Sequence, residues 1–145
     1  LFFFYMYREQ LDFHSFPTRR YYDLFGLKGY AQFKNILKNK NCGDEIKIEF
    51  DLKNRQISNF RYEGEVCIYC QASASLLSKN INKLNWDSLT LFKTQIMNFF
   101  NEIETKQNFE IKDFKSLLNI NNKNRKNCIV LPLDAILATT ITNDY

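Results

Sequence analysis

Polar and apolar residues alternate from residue 45 to residue 52, and this pattern predicts a strand with one apolar face. Lys53-Asn54 follows as a tight turn, and a second alternating segment covers residues 57–62. The two segments together have the signature of a β-hairpin. A short third strand is expected over Val66–Tyr69. The residues that share the apolar face of the first strand are Ile46, Ile48, Phe50 and Leu52.

Apolar residues recur at steps of three and four in the second half of the chain, which predicts helices. Residues 26–38 are expected to form a loop with a helical turn, and residues 119–124 a polar loop. The pattern as a whole predicts an α+β fold. The expected helices cover residues 7–16, residues from 71 onward, 85–103, 110–118 and 127–139. The aromatic residues most simply placed in the core are Trp86, Phe92, Phe99 and Phe100.

The chain has 145 residues, of which 45% are hydrophobic, and this size and composition are those of one globular domain. It contains no run of about 20 apolar residues, so no membrane helix is expected. The apolar start, Leu1–Met6, is too short for a signal peptide. We expect either that translation begins at Met6, so that residues 1–5 lie upstream of the true start, or that Leu1 comes from an alternative start codon.

The net charge of +4 does not by itself indicate a nucleic-acid-binding protein. Basic and acidic residues are interspersed along the chain, whereas nucleic-acid surfaces concentrate positive charge on one face. No nucleic-acid partner is therefore expected. The densest basic stretch, Lys123–Lys126, is interpreted either as the solvated start of a helix or as a docking patch for an acidic partner surface.

Three of the four cysteines, Cys42, Cys67 and Cys128, lie in separate parts of the chain. A zinc finger supplies its ligands as two close pairs, whereas these single thiols need a folded domain to bring them together. Asp44, two residues after Cys42, adds a carboxylate. Since thiolates are both nucleophiles and soft metal ligands, such a group could hold zinc, hold an iron–sulfur cluster or carry sulfur. The uneven spacing does not suggest a secreted disulfide framework, which favours a reducing cytosol.

Other reactive residue types are better explained by structure than by chemistry. Cys70 is expected to pack at a strand-to-helix junction rather than to form a redox pair with Cys67. His14 is expected at a helix end, with a structural role. Ser73 and Ser75 have no histidine nearby in sequence and are interpreted as small residues that allow helices to pack.

Two separated segments carry recognisable motifs. The first contains Cys-Gly-Asp at Cys42–Asp44, a Gly-x-x-Cys step that ends at Cys67, and Ala-Ser-Ala-Ser over residues 72–75. The second, Arg125–Leu137, has a basic residue and a cysteine before an apolar run, and a fainter similarity lies in residues 7–17. In these motifs the chain resembles the iron–sulfur cluster assembly scaffolds of the IscU/NifU type.

Two features make the chain more similar to the SUF-type (SufU-like) branch of that family. The 60 residues between Cys67 and Cys128 exceed the spacing of the housekeeping scaffolds and match the branch with an inserted segment. Housekeeping scaffolds carry a histidine directly before the third cysteine, where this chain has Asn127, and Arg125 stands as in the SUF-type proteins. The chain departs from the family pattern at Lys40, usually proline, at Val66, usually glycine, and at Cys70, usually serine.

The resemblance implies a single domain over residues 1–145, with its core in residues 6–140. The implied fold is a small antiparallel three-stranded sheet packed against a group of helices. Such a domain is expected in the cytoplasm, with a cysteine desulfurase of the SUF type as one partner. Downstream cluster-assembly proteins or apo iron–sulfur proteins are the other expected partners.

The resemblance also implies roles for individual residues. Cys42 corresponds to the persulfide acceptor and Arg125 to an auxiliary positive charge near it. The bound metal is expected to be zinc, or alternatively iron or a transient [2Fe–2S] cluster. The protein would then be a sulfur carrier or scaffold rather than an enzyme. The alternative is a structural zinc domain that acts only as a protein-interaction module. The implied metal ligands are Cys42, Asp44, Cys67 and Cys128.

Overall fold

The computed structural model describes residues 26–103 and 111–139, and within them three strands form one antiparallel sheet in the order β1-β2-β3. Three helices pack against this sheet, which confirms the predicted α+β architecture. The predicted helix over residues 7–16, together with His14, lies outside the described residues. The strands are β1 (Phe33–Lys38), β2 (Glu45–Lys53) and β3 (Gln56–Glu65), and the helices are α1 (Ile68–Asn80), α2 (Trp86–Phe100) and α3 (Lys126–Leu137).

The predicted hairpin is present as β2 and β3. Lys53 pairs with Gln56 across a two-residue turn, and both turn residues, Asn54 and Arg55, have positive φ angles of 49° and 62°. Two successive positive φ angles define the turn type that matches the twist of a hairpin. The predicted apolar face of β2 is buried, because every second residue from Ile46 to Leu52 lies in the core.

The prediction of a loop over residues 26–38 is wrong for the second half of this range, where β1 pairs antiparallel with β2. Its outward-facing positions include an exposed Ile36, and its inward-facing positions include the polar Asn35. The Asn35 Nδ2 donates a hydrogen bond to the backbone oxygen of Ala135 in α3, at 2.8 Å. The alternation of β1 is therefore masked, because the Nδ2 group of its inward-facing Asn35 is satisfied by a partner distant in sequence.

The third strand expected over Val66–Tyr69 is also wrong, because α1 begins at Ile68. A short apolar run does not distinguish a strand from the start of a buried helix. The backbone N–H of Cys67 donates to the Asp44 side chain at 3.0 Å instead of joining a strand ladder. The sheet keeps the predicted number of strands, because β1 supplies the third strand in the described part of the chain.

The helices in the second half of the chain follow the sequence prediction with adjusted ends. The helix predicted from Gln71 begins three residues earlier, and α2 begins with a capping box between Asn85 and Ser88. The helix expected over residues 110–118 is a shorter 3₁₀ turn, Lys112–Ser116. The polar loop expected over residues 119–124 is wrong for most of its length, because Ile120–Arg125 forms a 3₁₀ turn that leads directly into α3.

The core lies between the sheet and the helices. Phe92 of α2 contacts Phe114 edge to face, with ring centroids 4.9 Å apart. Phe100 is buried as expected, whereas Trp86 and Phe99 are only partly buried and pack against the core from its edge. Helix α3 contacts both other helices as well as β1 and β2, so it is central to the domain.

Candidate thiol and metal site

Cys42 lies in the connection between β1 and β2, and backbone hydrogen bonds close this connection. The N–H of Asn39 donates to the oxygen of Asp44 at 2.7 Å, and the N–H of Gly43 donates to the oxygen of Asn39 at 2.9 Å. Gly43 has a φ angle of +77°, which residues with a Cβ rarely adopt. This turn leaves Cys42 exposed at its tip and buries Asp44 at its base.

Asp44 is almost completely buried, with 6% of its surface exposed. One carboxylate oxygen, Oδ1, accepts the hydrogen bond from the N–H of Cys67. The other oxygen, Oδ2, is buried and has no hydrogen-bond partner among the described residues. A buried carboxylate oxygen without a partner is costly, and coordination to a cation is one of the ways in which proteins offset that cost.

Cys128 lies in the first turn of α3, and its sulfur is 3.4 Å from the sulfur of Cys42. The Cys128 side chain is buried and that of Cys42 is exposed. The ligand atoms of Cys42, Asp44 and Cys128 all lie within 4.8 Å of one another. The fold thus brings together three of the four predicted ligand residues from two distant parts of the chain.

Cys67 lies beside this group, at the residue that precedes α1. Its thiol is half-buried, and the Asp44 carboxylate and the Cys128 thiol lie near enough to affect its pKa. Its sulfur is not within the 4.8 Å group. Cys67 is therefore a neighbour of the three other residues through both its backbone and its side chain.

Two thiols of the site, those of Cys67 and Cys128, have a pKa above that of an ordinary cysteine. Burial raises the pKa of Cys67, and the hydrogen bond to Asp44 raises it further, whereas the backbone N–H of Cys70 lowers it. Burial also raises the pKa of Cys128, and its hydrogen bond with Cys42 adds to the shift. A metal ion that binds these sulfurs must therefore displace protons at neutral pH.

The residues present fit a zinc or iron ion. Soft thiolates and one carboxylate are ligands that both metals accept, and a carboxylate oxygen of Asp44 lies within the group. Three thiolates and a carboxylate would give a zinc complex a net charge of −2. The site is reached from solvent at Cys42, because that is its exposed residue.

Arg125 and Cys70 lie next to the site in different ways. The Arg125 guanidinium lies over the ring of Tyr69, with 5.8 Å between its Cζ and the ring centroid, in a cation–π arrangement. This contact was not foreseen from sequence, where neither residue type nor spacing signals it. Cys70 is fully buried in the core, as expected from its interpretation as a packing residue.

The comparisons with known proteins agree with the fold. Residues 27–142 match the model of the family described as NifU-like N terminal domain. No match was found among curated proteins. None of the helices in the described part of the chain is long and apolar enough to cross a membrane.

Several solved structures share this fold. The N-terminal part of a nitrogen-fixing NifU-like protein from Brucella abortus has a TM-score of 0.69 at 18% identity, over 79% of this chain and 81% of that one. A protein described as an iron–sulfur cluster assembly scaffold for the SUF system, from Fervidobacterium islandicum AW-1, has a TM-score of 0.63 at 23% identity, over 78% of this chain and 83% of that one. A hypothetical protein has a TM-score of 0.69 at 19% identity, over 92% and 95% of the two chains.

Proposed function

Because this chain belongs to the family of NifU-like N-terminal domains, a family of iron–sulfur cluster assembly scaffolds, we propose that it accepts persulfide sulfur and holds a metal ion or nascent cluster. The observation that carries the proposal is the buried Asp44 carboxylate, which has one oxygen within 4.8 Å of two cysteine sulfurs and an Oδ2 without a hydrogen-bond partner among the described residues. One of those sulfurs is exposed and can meet a partner protein. The proposed ligands are Cys42, Asp44, Cys67 and Cys128.

Zinc is the resident ion that we propose, and when bound it would hold the thiolates in their deprotonated form. Asp44 accepts the N–H of Cys67 through one oxygen, which orients the other oxygen within the site. Carboxylate is a harder ligand than thiolate, so Asp44 is the ligand that would bind iron or zinc least tightly. If the cargo is a [2Fe–2S] cluster, the same residues would hold it, and Asp44 would make it labile.

Cys42 is the proposed sulfur acceptor because it is the exposed thiol of the group. Its thiolate attacks the outer sulfur of the persulfide on the donor protein. The sulfur–sulfur bond of the donor breaks, the donor cysteine leaves as a thiolate, and Cys42 becomes the persulfide. No net oxidation or reduction occurs, so the step needs no further reactant. The protein would thus act as a carrier and not as an enzyme that turns over a small metabolite.

The proposed sulfur donor is a cysteine desulfurase of the SUF type. The similarity to a scaffold described as belonging to the SUF system supports this choice, as does Asn127 in place of a histidine before Cys128. Arg125 is exposed next to the start of α3, where its charge could stabilise a displaced thiolate or a persulfide. Free thiols of this kind require a reducing compartment, so we place the protein in the cytoplasm.

The experiment that tests this function is sulfur transfer measured by mass spectrometry. The protein, purified without oxygen and analysed for zinc and iron, is incubated with a SUF-type desulfurase and cysteine. The expected result is bound metal and the added mass of one sulfur atom on the peptide that contains Cys42. Cys42→Ser should abolish the label while the domain stays folded, and Cys70→Ser should leave transfer unchanged because Cys70 is buried.

Two other results would change the conclusion. A label on Cys67 or Cys128 would show that the acceptor has been assigned to the wrong cysteine within the same site. A protein that binds zinc tightly but is never labelled on any cysteine would contradict sulfur transfer, and it would favour a structural zinc domain that binds other proteins.

A further inference from the structure

Helix α3, which carries Cys128, contains a proline at position 132. Proline has no backbone N–H, so Pro132 cannot donate to the oxygen of the residue four positions earlier, which is Cys128. The proline ring also crowds that oxygen. The turn that carries Cys128 is thus less strongly held by its own helix than a turn without proline would be.

A hydrogen bond from α1 holds the same turn from outside. The Ser73 hydroxyl donates to the backbone oxygen of Ile129, the residue after Cys128, at 2.5 Å. Ser73 is fully buried, with 0% of its surface exposed, so water does not compete for this bond. Ser73 belongs to α1, and Cys67 directly precedes α1. One side chain therefore joins the helix that follows Cys67 to the turn that contains Cys128.

We propose that Ser73 is a positioning residue that holds the Cys128 turn in place relative to Cys67 and Asp44. This inference rests on the proposed function of the thiol site. It adds a residue that would not itself coordinate the metal ion. Without the hydroxyl, the Pro132-weakened turn can shift along α1, and the sulfur of Cys128 moves away from Asp44. Ser73 thus does more than provide a small surface for helix packing.

Helix α1 offers a matched control. Ser78 is also buried, and its hydroxyl also donates to a backbone oxygen, that of Phe60 in β3 at 3.1 Å. Its bond holds the other end of α1 and does not reach α3. Ser73→Ala and Ser78→Ala each remove one buried hydroxyl from the same helix, so they should destabilise the fold by similar amounts. Only the first removes the link to Cys128.

The test compares both variants with the wild type by metal binding and by thiol accessibility. Zn²⁺ affinity is measured by competition with a chelator, and the site is also loaded with Co²⁺ and observed by absorption spectroscopy. Ser73→Ala should weaken Zn²⁺ binding at least about tenfold and alter the Co²⁺ spectrum, because supporting residues have effects of this size. Ser78→Ala should leave the Zn²⁺ affinity and the Co²⁺ spectrum unchanged. Ser73→Thr keeps the hydroxyl, so its Zn²⁺ affinity and Co²⁺ spectrum should be those of the wild type.

A measurement on the metal-free protein separates this inference from the proposed function. The rate of alkylation at Cys128, read by peptide mass spectrometry, should rise in Ser73→Ala and stay at the wild-type value in Ser78→Ala. Equal rates and equal Zn²⁺ affinities in the two variants would overturn the role of Ser73. If the wild type binds no metal, the proposed function fails, and the alkylation rates alone decide the inference. If Ser73→Ala does not fold, Ser73→Cys, whose thiol is a weak donor, takes its place in the Co²⁺ comparison.

Discussion

The sulfur of Cys128 lies 3.4 Å from the sulfur of Cys42, although the two residues are 86 positions apart in the chain. Cys128 is buried at the start of a helix, and Cys42 is exposed in a turn between two strands. One sulfur of the pair is therefore exposed to solvent, and the other is buried. This relationship makes the site open to oxidation as well as to metal.

Mild oxidation of the metal-free protein should form a disulfide between Cys42 and Cys128. Hydrogen peroxide would take up the two hydrogens of the thiols and leave as water, and the sulfurs would approach to about 2.05 Å. The bridged protein should lose two hydrogen masses and no longer bind zinc until a thiol reductant is added. Peptide mapping checks the pairing. A bridge that includes Cys70 would contradict the described site, because Cys70 is buried in the core.

Asp44→Asn should weaken metal binding and leave the fold intact. The amide oxygen can still accept the N–H of Cys67, but the charge that faces the metal is lost. We expect zinc affinity to fall on the order of 100-fold, while the free energy of unfolding of the metal-free protein changes by about 1 kcal/mol or less. Chelator competition and urea unfolding measure the two quantities.

Asp44→Ala serves as the comparison for this prediction. It also removes the acceptor of the Cys67 N–H, so it should cost a further amount of about 1–3 kcal/mol in unfolding free energy. If both variants bind zinc as the wild type does, Asp44 is a turn residue and not a ligand.

Gly64→Ala should destabilise the protein and disturb the site. Gly64 has a φ angle of +147°, and a Cβ there would lie 2.1 Å from the backbone oxygen of Glu45, the residue after Asp44. Strain and overlap together should lower the unfolding free energy by about 3 kcal/mol. Displacement of Glu45 should also reduce zinc affinity.

Gly29→Ala is the matched control for Gly64→Ala. Gly29 has a φ angle of +86°, but a Cβ there would meet nothing within 4 Å. Gly29→Ala should therefore lower the unfolding free energy only by the cost of the backbone conformation, about 1–2 kcal/mol, and leave the zinc affinity unchanged. Equal effects of the two variants would show that the contact with Glu45 is unimportant.

The metal-free protein should lose stability as the pH rises above about 8.5, the ordinary pKa of a thiol. Burial raises the pKa of Cys70 in the folded state, so the unfolded chain loses this proton first. The stabilisation is complete below the unfolded pKa and decreases by about 1.4 kcal/mol per pH unit above it. Urea unfolding in EDTA and reductant at several pH values should show a shallower decrease in Cys70→Ala. An identical slope in the variant would show that Cys70 does not cause it.

Regular periodicity made much of the fold predictable from sequence. The β2–β3 hairpin was predicted because its alternating residues and its turn are local signals. Strand β1 was not predicted, because its inward-facing Asn35 donates a hydrogen bond to the backbone oxygen of Ala135 in α3. No local pattern in the sequence reveals such a partner. The strand expected over residues 66–69 failed for the related reason that the N–H of Cys67 bonds to the Asp44 side chain.

The sequence by itself determined the types of residue in the site and their motifs, because thiol and carboxylate chemistry is visible in the residues themselves. It also indicated which cysteine would pack, since Cys70 stands at a predicted strand-to-helix junction, and the structure buries Cys70 in the core. Only the tertiary structure decided that the sulfurs of Cys42 and Cys128 come within 3.4 Å and that Asp44 Oδ2 has no hydrogen-bond partner among the described residues. Distances between remote segments depend on how helices and strands pack, and packing is a property of the whole core that no single segment encodes.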